Sequence, residues 1–246
     1  MGIAAGEGAL RFRALFISDI HLGTPACPAE RLLDLLRLTE SEHLYLVGNI
    51  LDGRQLRERF YWHQSHNDVI QKLLRKARKG ARVTYVAGSH DEAMRHFLGL
   101  AFGGIEIVDE AVHQTADGRR LLVIHGERFR TGPARDWWNP FGMQRGGDVR
   151  NADDATIALF EEALAREALR RRFDGVVCGH IRRAQIREIG GVLYCNDGDW
   201  VESLTALAEL ASGELRILDW RTLAKLADCA TAADLHGRSD AHPDRD

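Results

Sequence analysis

Polar residues that can bind a cation or move a proton follow several short apolar runs of this 246-residue sequence. Five such runs end in polar segments: Ser18-Asp19-Ile20-His21, Gly48-Asn49-Ile50-Leu51-Asp52, Gly88-Ser89-His90-Asp91, His125-Gly126-Glu127 and Gly179-His180. Imidazole nitrogens combined with carboxylate or amide oxygens suit manganese, iron, zinc or cobalt better than calcium or copper(I). The pattern therefore indicates a site for a divalent transition metal.

The first of these segments has two ligand types close together. Asp19 and His21 are two residues apart, so they face the same way if the strand pleat continues through them. A single histidine in such a place is equally well explained as a hydrogen-bonded residue at a strand end. Five apolar runs that all end in such polar segments favour a functional site.

The apolar runs alternate with longer stretches of helical period, which is typical of α/β proteins with a mainly parallel sheet. One predicted helix has Pro28 in its first turn, and another spans residues 56–79. Asp117-Gly118, Gly190-Gly191 and Ser212-Gly213 are typical of hairpin turns. Because ligands bind at the carboxyl ends of strands in such sheets, we expect the five polar segments to converge on one crevice.

Composition excludes some function classes. Lys and Arg total 33 against 36 Asp and Glu, a net charge of −3, which argues against binding a nucleic-acid backbone. The 4 cysteines are scattered, so neither a disulfide framework nor a zinc finger is expected. The amino end has no leader pattern, and no run of 18 apolar residues occurs. We expect a cytoplasmic protein.

Six segments carry a resemblance to a known family, over roughly residues 15–220. They are Phe16-Ile17-Ser18-Asp19-Ile20-His21-Leu22-Gly23, Leu46-Val47-Gly48-Asn49-Ile50-Leu51-Asp52-Gly53, Gly88-Ser89-His90-Asp91-Glu92, Ile124-His125-Gly126-Glu127, Cys178-Gly179-His180-Ile181 and Tyr194-Cys195-Asn196-Asp197-Gly198-Asp199-Trp200. In order and spacing they resemble the calcineurin-like metallophosphoesterases, and within them the UDP-2,3-diacylglucosamine diphosphatases (hydrolases) of lipid A synthesis.

The resemblance implies an α/β fold, a four-layer α-β-β-α sandwich of two mixed sheets with flanking helices. We expect one domain over residues 1–227, in which residues 127–152 form a lid loop shorter than that of the lipid enzyme. Residues 228–246 are small, polar and charged, and we predict a disordered tail there.

The resemblance also implies two divalent metal ions, with manganese as the expected metal. A metal-bound hydroxide attacks phosphorus in this family while the two ions neutralise the phosphoryl oxygens. The implied metal ligands are Asp19 and His21 for the first ion, His125 and His180 for the second, and Asn49 at the bridging position.

Other site residues are implied by the same motifs. His90, oriented by Asp91, would assist the phosphate or protonate the leaving group. Ser89 and Arg182 are expected to contact substrate. The residues expected to support the site from behind are Asp52, Asn196 and Asp199.

Four positions depart from the family pattern. Asn49 stands where the family has an aspartate that bridges both metals, Ser89 where it has an asparagine ligand, and Arg182 where it has a second histidine. Glu127 replaces an aspartate. Asn49 and Arg182 together shift the local charge by two units against binding metal, so one ion or none is expected to bind.

Two hypotheses from different classes follow. The chain is either a working phosphodiester or pyrophosphate hydrolase with an altered site, or a non-catalytic relative that binds a phosphate or nucleotide as a regulatory module. Its expected partner is a phosphorylated small molecule or a nucleotide-linked substrate, with no nucleic acid. Contact with the inner membrane is expected to be peripheral at most.

Overall fold

The computed structural model describes residues 9–129 and 153–225. Its strands are β1 (Leu10–Ile17), β2 (Thr39–Val47), β3 (Arg82–Val86), β4 (Ala101–Phe102), β5 (Ile105–Val108), β6 (Ala111–Gln114), β7 (Arg120–Val123), β8 (Gly175–Cys178), β9 (Gln185–Ile189), β10 (Val192–Asn196), β11 (Thr205–Glu209) and β12 (Leu215–Asp219). The helices are α1 (Ala29–Leu38), α2 (Gly53–Glu58), α3 (Gln64–Arg78), α4 (Glu92–Arg95) and α5 (Asp154–Arg170). The predicted tail and most of the predicted lid loop lie outside the described residues.

The strands form two mixed sheets. The larger has the order β12-β11-β1-β2-β3-β5-β4 and the smaller the order β6-β7-β8-β10-β9. In the larger sheet β1, β2, β3 and β5 are parallel, and in the smaller one β7, β8 and β10 are parallel. Antiparallel strands complete both edges. The predicted α/β class with two mixed sheets is confirmed.

Alternating residues of β1 explain the layers. Leu15 and Ile17 pack with α1 on one face of the larger sheet, whereas Ala14 and Phe16 pack with residues of the smaller sheet. Successive strand residues point to opposite faces, and here both faces are buried. The outer face of the smaller sheet packs against α5. The result is a helix layer, two sheets and a second helix layer, as predicted.

The prediction of one long helix over residues 56–79 is wrong, because the segment forms two helices, α2 and α3. His63 is the N-cap residue of α3, and its imidazole accepts a hydrogen bond from the Ser65 amide. Trp62 donates its indole N–H to Asn67 over 2.8 Å, which holds the connection against the first turn of α3. The three predicted hairpins, β6–β7, β9–β10 and β11–β12, are confirmed. Within the described residues, no helix is long and apolar enough to cross a bilayer.

A partly buried histidine in the middle of β2 predicts acid sensitivity. Burial, aided by the charges of Arg82 and His113, lowers the pKa of His43 to about 3. The folded chain therefore binds fewer protons than the unfolded chain below the unfolded pKa of about 6.5, and stability falls as pH drops from there. Solvent reaches part of the ring, so we expect a loss of at most about 1 kcal/mol per pH unit.

This loss is measured by urea denaturation between pH 7 and pH 4. We expect His43→Gln to flatten the pH dependence relative to wild type, because glutamine cannot take up the proton. Exposed His96→Gln is the matched control and should keep the wild-type slope. Equal slopes for wild type and His43→Gln would contradict the assignment.

Candidate functional site

The five polar strand ends converge, as predicted, on one crevice that spans both sheets. The loops after β1 and β2 run together, since Asp19 N–H donates to Gly48 O over 3.0 Å and His21 N–H donates to Asn49 O over 2.9 Å. Five residues of the crevice have left-handed backbone, with φ between 49° and 67°: Asp19, His21, Asn49, His180 and Arg182. Such conformations are uncommon outside glycine and concentrate at functional sites.

Two glycines allow the loops to approach closely. A Cβ at Gly48 would lie 2.3 Å from His125 Cγ, and the backbone there has φ +75°. A Cβ at Gly88 would lie 2.5 Å from the Asn49 nitrogen. Only glycine fits either position without moving a site residue.

Asp19 lies at the centre of the crevice and is 1% exposed. Its Oδ1 accepts a hydrogen bond from Asn49 Nδ2 over 2.9 Å, and its Oδ2 accepts one from the His180 amide over 3.1 Å. Burial raises the pKa of Asp19, but the nearby imidazoles of His125 and His21 outweigh burial and hold that pKa well below its usual value. The carboxylate is therefore ionised at neutral pH.

His125 offers a buried nitrogen to the crevice. Its Nδ1 lies 3.0 Å from Glu127 Oε2, whereas its Nε2 has no hydrogen-bond partner among the described residues and lies 3.5 Å from Asp19 Oδ2. The ring centroid of His180 is 5.1 Å away. A carboxylate on one imidazole nitrogen is the usual support of a metal-binding histidine. His125 Nε2 and Asp19 Oδ2 can therefore supply two ligands to a divalent ion, and the ring of His180 lies next to them.

The same carboxylates hold a proton on His125. Burial lowers the pKa of His125, but the nearby carboxylates of Asp19 and Glu127 raise it to about 10, and the pKa of Glu127 falls to about 2. A metal ion at Nε2 must displace that proton, so ion affinity is expected to rise with pH.

Glu127→Gln is expected to weaken Mn²⁺ binding by about 10- to 100-fold, because it removes the charge that supports His125 as a ligand. Isothermal titration calorimetry at pH 8 measures the effect. Glu58→Gln, which alters a glutamate paired with Arg54 on the surface, is the control. An unchanged Mn²⁺ affinity in Glu127→Gln would contradict the assignment of His125.

Arg182 points into the crevice. Its Nη2 lies 2.9 Å from His21 Nε2 and its Nε lies 3.7 Å from Asp19 Oδ1. A guanidinium has donors only, so His21 Nε2 accepts this hydrogen bond and the ring proton resides on Nδ1, 2.9 Å from Asp52 Oδ2. Burial lowers the pKa of His21, the nearby carboxylates of Asp19 and Asp52 raise it by more, and the Arg182 charge opposes them.

The residues implied for the first ion therefore do not fit an ion while Arg182 holds this position. A divalent ion about 4 Å from the guanidinium meets a repulsion of roughly 8 kcal/mol at an effective dielectric near 20. The lone pair of His21 Nε2 is already used.

The orientation of the Asn49 amide is set by its neighbours. Its Oδ1 accepts from the His90 amide over 2.9 Å, and Ser89 Oγ lies 3.4 Å from the same oxygen. Its Nδ2 faces the Asp19 carboxylate, which can only accept. Asn49 thus presents N–H groups, not a lone pair, at the position where the family has a bridging aspartate.

The carboxylate beside His90 is that of Asp52, whereas the sequence interpretation had paired His90 with Asp91. Asp52 Oδ2 lies 3.1 Å from His90 Nδ1 and 2.9 Å from His21 Nδ1, and the candidate ligand atoms of the three residues all lie within 4.8 Å of one another. Asp91 instead accepts hydrogen bonds from the backbone of the loop after β2, beginning with Asn49 N–H at 2.6 Å. Sequence spacing assigned Asp52 only a supporting role.

Asn196 and Asp199 support loops next to the crevice. Asn196 Nδ2 donates to Gly179 O over 2.8 Å, next to His180. Asp199 Oδ1 accepts from the Val201 amide over 2.8 Å and so shapes the loop after β10. The sequence reasoning gave no role to the neighbouring Asp197, although Ser18 donates to it over 2.6 Å and thereby fixes the residue before Asp19.

Comparison with solved structures gives remote similarities. Hypothetical protein PH1004 from Pyrococcus horikoshii is 14% identical, with a TM-score of 0.51 over 89% of this chain and 94% of that one. YfcE, a phosphoesterase from E. coli, is 16% identical with a TM-score of 0.45, and zinc-complexed Vps29 from Entamoeba histolytica is 18% identical with a TM-score of 0.44. Both alignments cover 84% of this chain and 98% of the other. At these identities the likeness concerns the fold.

The sequence itself gives the family. No curated protein sequence matches the chain. The calcineurin-like phosphoesterase superfamily domain matches residues 12–214, which include every strand end of the crevice. The chain therefore belongs to the calcineurin-like phosphoesterase superfamily.

Proposed function

We propose that the crevice binds a phosphodiester or pyrophosphate of nucleotide-linked type and that hydrolysis with two metal ions is severely impaired. The observation that carries this proposal is the Arg182 guanidinium inside the crevice, 2.9 Å from His21 Nε2. A guanidinium matches phosphate oxygens with two parallel N–H donors and keeps its charge at any physiological pH.

Each residue then has a defined task. Arg182 binds a phosphate oxygen. Asp52 contacts the Nδ1 side of His90, so that the Nε2 of this half-exposed ring is directed to a phosphoryl or leaving-group oxygen. Asp19, His125 and His180 would hold a divalent ion, which would supply Lewis-acid polarisation of a phosphoryl oxygen.

A second candidate function is slow hydrolysis with one ion. It is favoured by His125 Nε2, a fully buried nitrogen with no hydrogen-bond partner among the described residues. Manganese is the metal we propose for this site.

For the substrate, we propose a nucleoside diphosphate sugar of the UDP-2,3-diacylglucosamine class. The six motifs quoted above support it through their resemblance to the diphosphatases of lipid A synthesis. In that case the chain works at the cytoplasmic face of the inner membrane, with peripheral contact only.

Calorimetric titration with UDP tests the proposal, in wild type and in Arg182→Gln. We expect the variant to bind UDP about 10- to 100-fold more weakly, because charge-assisted hydrogen bonds contribute about 1.5–3 kcal/mol. Arg183→Gln, a change to an arginine paired with Asp154 on the surface, is the matched control. Equal UDP affinity in wild type and Arg182→Gln would contradict phosphate binding by Arg182.

Turnover separates the two candidate functions. Wild type is assayed with bis(p-nitrophenyl) phosphate and UDP-2,3-diacylglucosamine at saturating Mn²⁺. UDP binding without turnover supports the binding module, and slow Mn²⁺-dependent turnover supports the one-ion hydrolase. Fast turnover with two bound ions per chain contradicts both.

A further inference from the structure

We propose that the Arg182 guanidinium is a built-in cation that takes the place of one divalent ion, so that the chain holds a single ion beside a fixed arginine. That this centre binds a phosphate ester rests on the proposed function. The number of bound ions is independent of that function.

The guanidinium lies among three side chains, those of His21, Asp19 and Glu202. On the inner side it lies 2.9 Å from His21 Nε2 and 3.7 Å from Asp19 Oδ1, the two residues implied as ligands of the first ion. On the outer side its Nη1 lies 3.9 Å from Glu202 Oε1, and the side chain as a whole is 18% exposed. Arg182 thus occupies the crevice and does not extend into solvent.

Two lone pairs of the residues implied for the first ion are already engaged. His21 Nε2 accepts from Arg182, and Asp19 Oδ1 accepts from Asn49 Nδ2 over 2.9 Å. The Asn49 oxygen, in turn, accepts from the His90 amide over 2.9 Å. An ion would have to break several of these hydrogen bonds and also lie against a positive charge.

The other side of the crevice is different. Asp19 Oδ2 and His125 Nε2 lie 3.5 Å apart, and His125 Nε2 is a buried nitrogen without a hydrogen-bond partner among the described residues. The two halves of the crevice therefore differ: one contains a fixed guanidinium, and the other offers ligands for an ion.

The experiment counts Mn²⁺ ions per chain, by calorimetric titration and by elemental analysis after dialysis, in wild type, Asn49→Asp and Asn49→Asp/Arg182→His. Asn49→Asp returns the bridging carboxylate but keeps the guanidinium. We expect one ion in wild type and in Asn49→Asp, and two ions in the double variant. Asn49→Asp/Arg183→His is the matched control, with the same chemical change one residue further along, and should bind one.

Several results would overturn the inference. They are two ions or none in wild type, two ions in Asn49→Asp, and one ion in a double variant whose thermal melt shows that it is folded. If the double variant does not fold, Asn49→Asp still tests the inference, because two ions in that variant would show that Arg182 does not exclude the second ion.

The cationic role is tested without metal. In EDTA, Arg182→Gln is expected to bind inorganic phosphate at least tenfold more weakly than wild type, whereas Arg183→Gln should bind it equally well. Equal binding by Arg182→Gln and wild type would overturn the replacement of an ion's charge by arginine. If the ion counts come out as expected but UDP is neither bound nor hydrolysed, the inference stands and only the proposed function fails.

Discussion

Asn49→Asp, Ser89→Asn and Arg182→His, combined in one chain, are expected to raise Mn²⁺-dependent phosphodiester hydrolysis at least about 100-fold above wild type. The three changes return ligand types that the family has at these positions. They also remove the guanidinium from His21 and shift the local charge by two units in favour of cations. Steady-state turnover of bis(p-nitrophenyl) phosphate at saturating Mn²⁺ measures the gain.

The matched control keeps Arg182 and carries Asn49→Asp, Ser89→Asn and Arg183→His. It should stay near the wild-type rate, because the guanidinium still lies against His21. If the triple variant folds, binds no additional ion and gains no activity, the account of the altered site is wrong.

Asp91→Ala is expected to lower the free energy of unfolding by at least about 4 kcal/mol. The Asp91 carboxylate is 1% exposed and accepts five hydrogen bonds. Its donors are Asn49 N at 2.6 Å, Ile50 N at 3.1 Å, Leu51 N at 2.9 Å, Gly88 N at 2.8 Å and Tyr85 Oη at 2.5 Å. Alanine would leave these donors without a partner, and each buried orphan donor costs about 1–3 kcal/mol.

Urea denaturation at neutral pH measures this loss. Asp34→Ala, which breaks an exposed pair with Arg37, is the control and should change stability by no more than about 0.5 kcal/mol. A loss below about 1 kcal/mol in Asp91→Ala would show that the carboxylate does not hold the loops after β2 and β3 together.

Much of the fold follows from sequence patterns because both faces of the central strands are buried. Residues 14–17 alternate between the helix layer and the second sheet and leave no polar face, so this half of β1 reads as one continuous apolar run. The break between α2 and α3 escaped prediction because local capping by His63 competes with a helical period that continues across it.

The candidate site, too, could be predicted from the sequence only in part. Strand ends located Asp19, His125 and His180, because their place depends only on where β1, β7 and β8 end. Side-chain pairings that depend on long or rotatable groups were not accessible from the sequence. The guanidinium of Arg182 and the amide of Asn49 take their positions from neighbours on distant segments.

The exchange of partners between Asp52 and Asp91 has a similar cause. Both carboxylates follow strands of one sheet, and both are near His90 along the chain or in space. The buried N–H groups of the loop after β2 all need an acceptor. They donate to Asp91, and Asp52 is the carboxylate that contacts His90.

A crystal of the wild-type chain grown with Mn²⁺, with anomalous diffraction recorded at the manganese edge, tests the central claim most directly. We predict one anomalous peak per chain, among Asp19, His125 and His180, with the Arg182 guanidinium still in contact with His21. Two peaks per chain, with Arg182 turned out of the crevice, would contradict it.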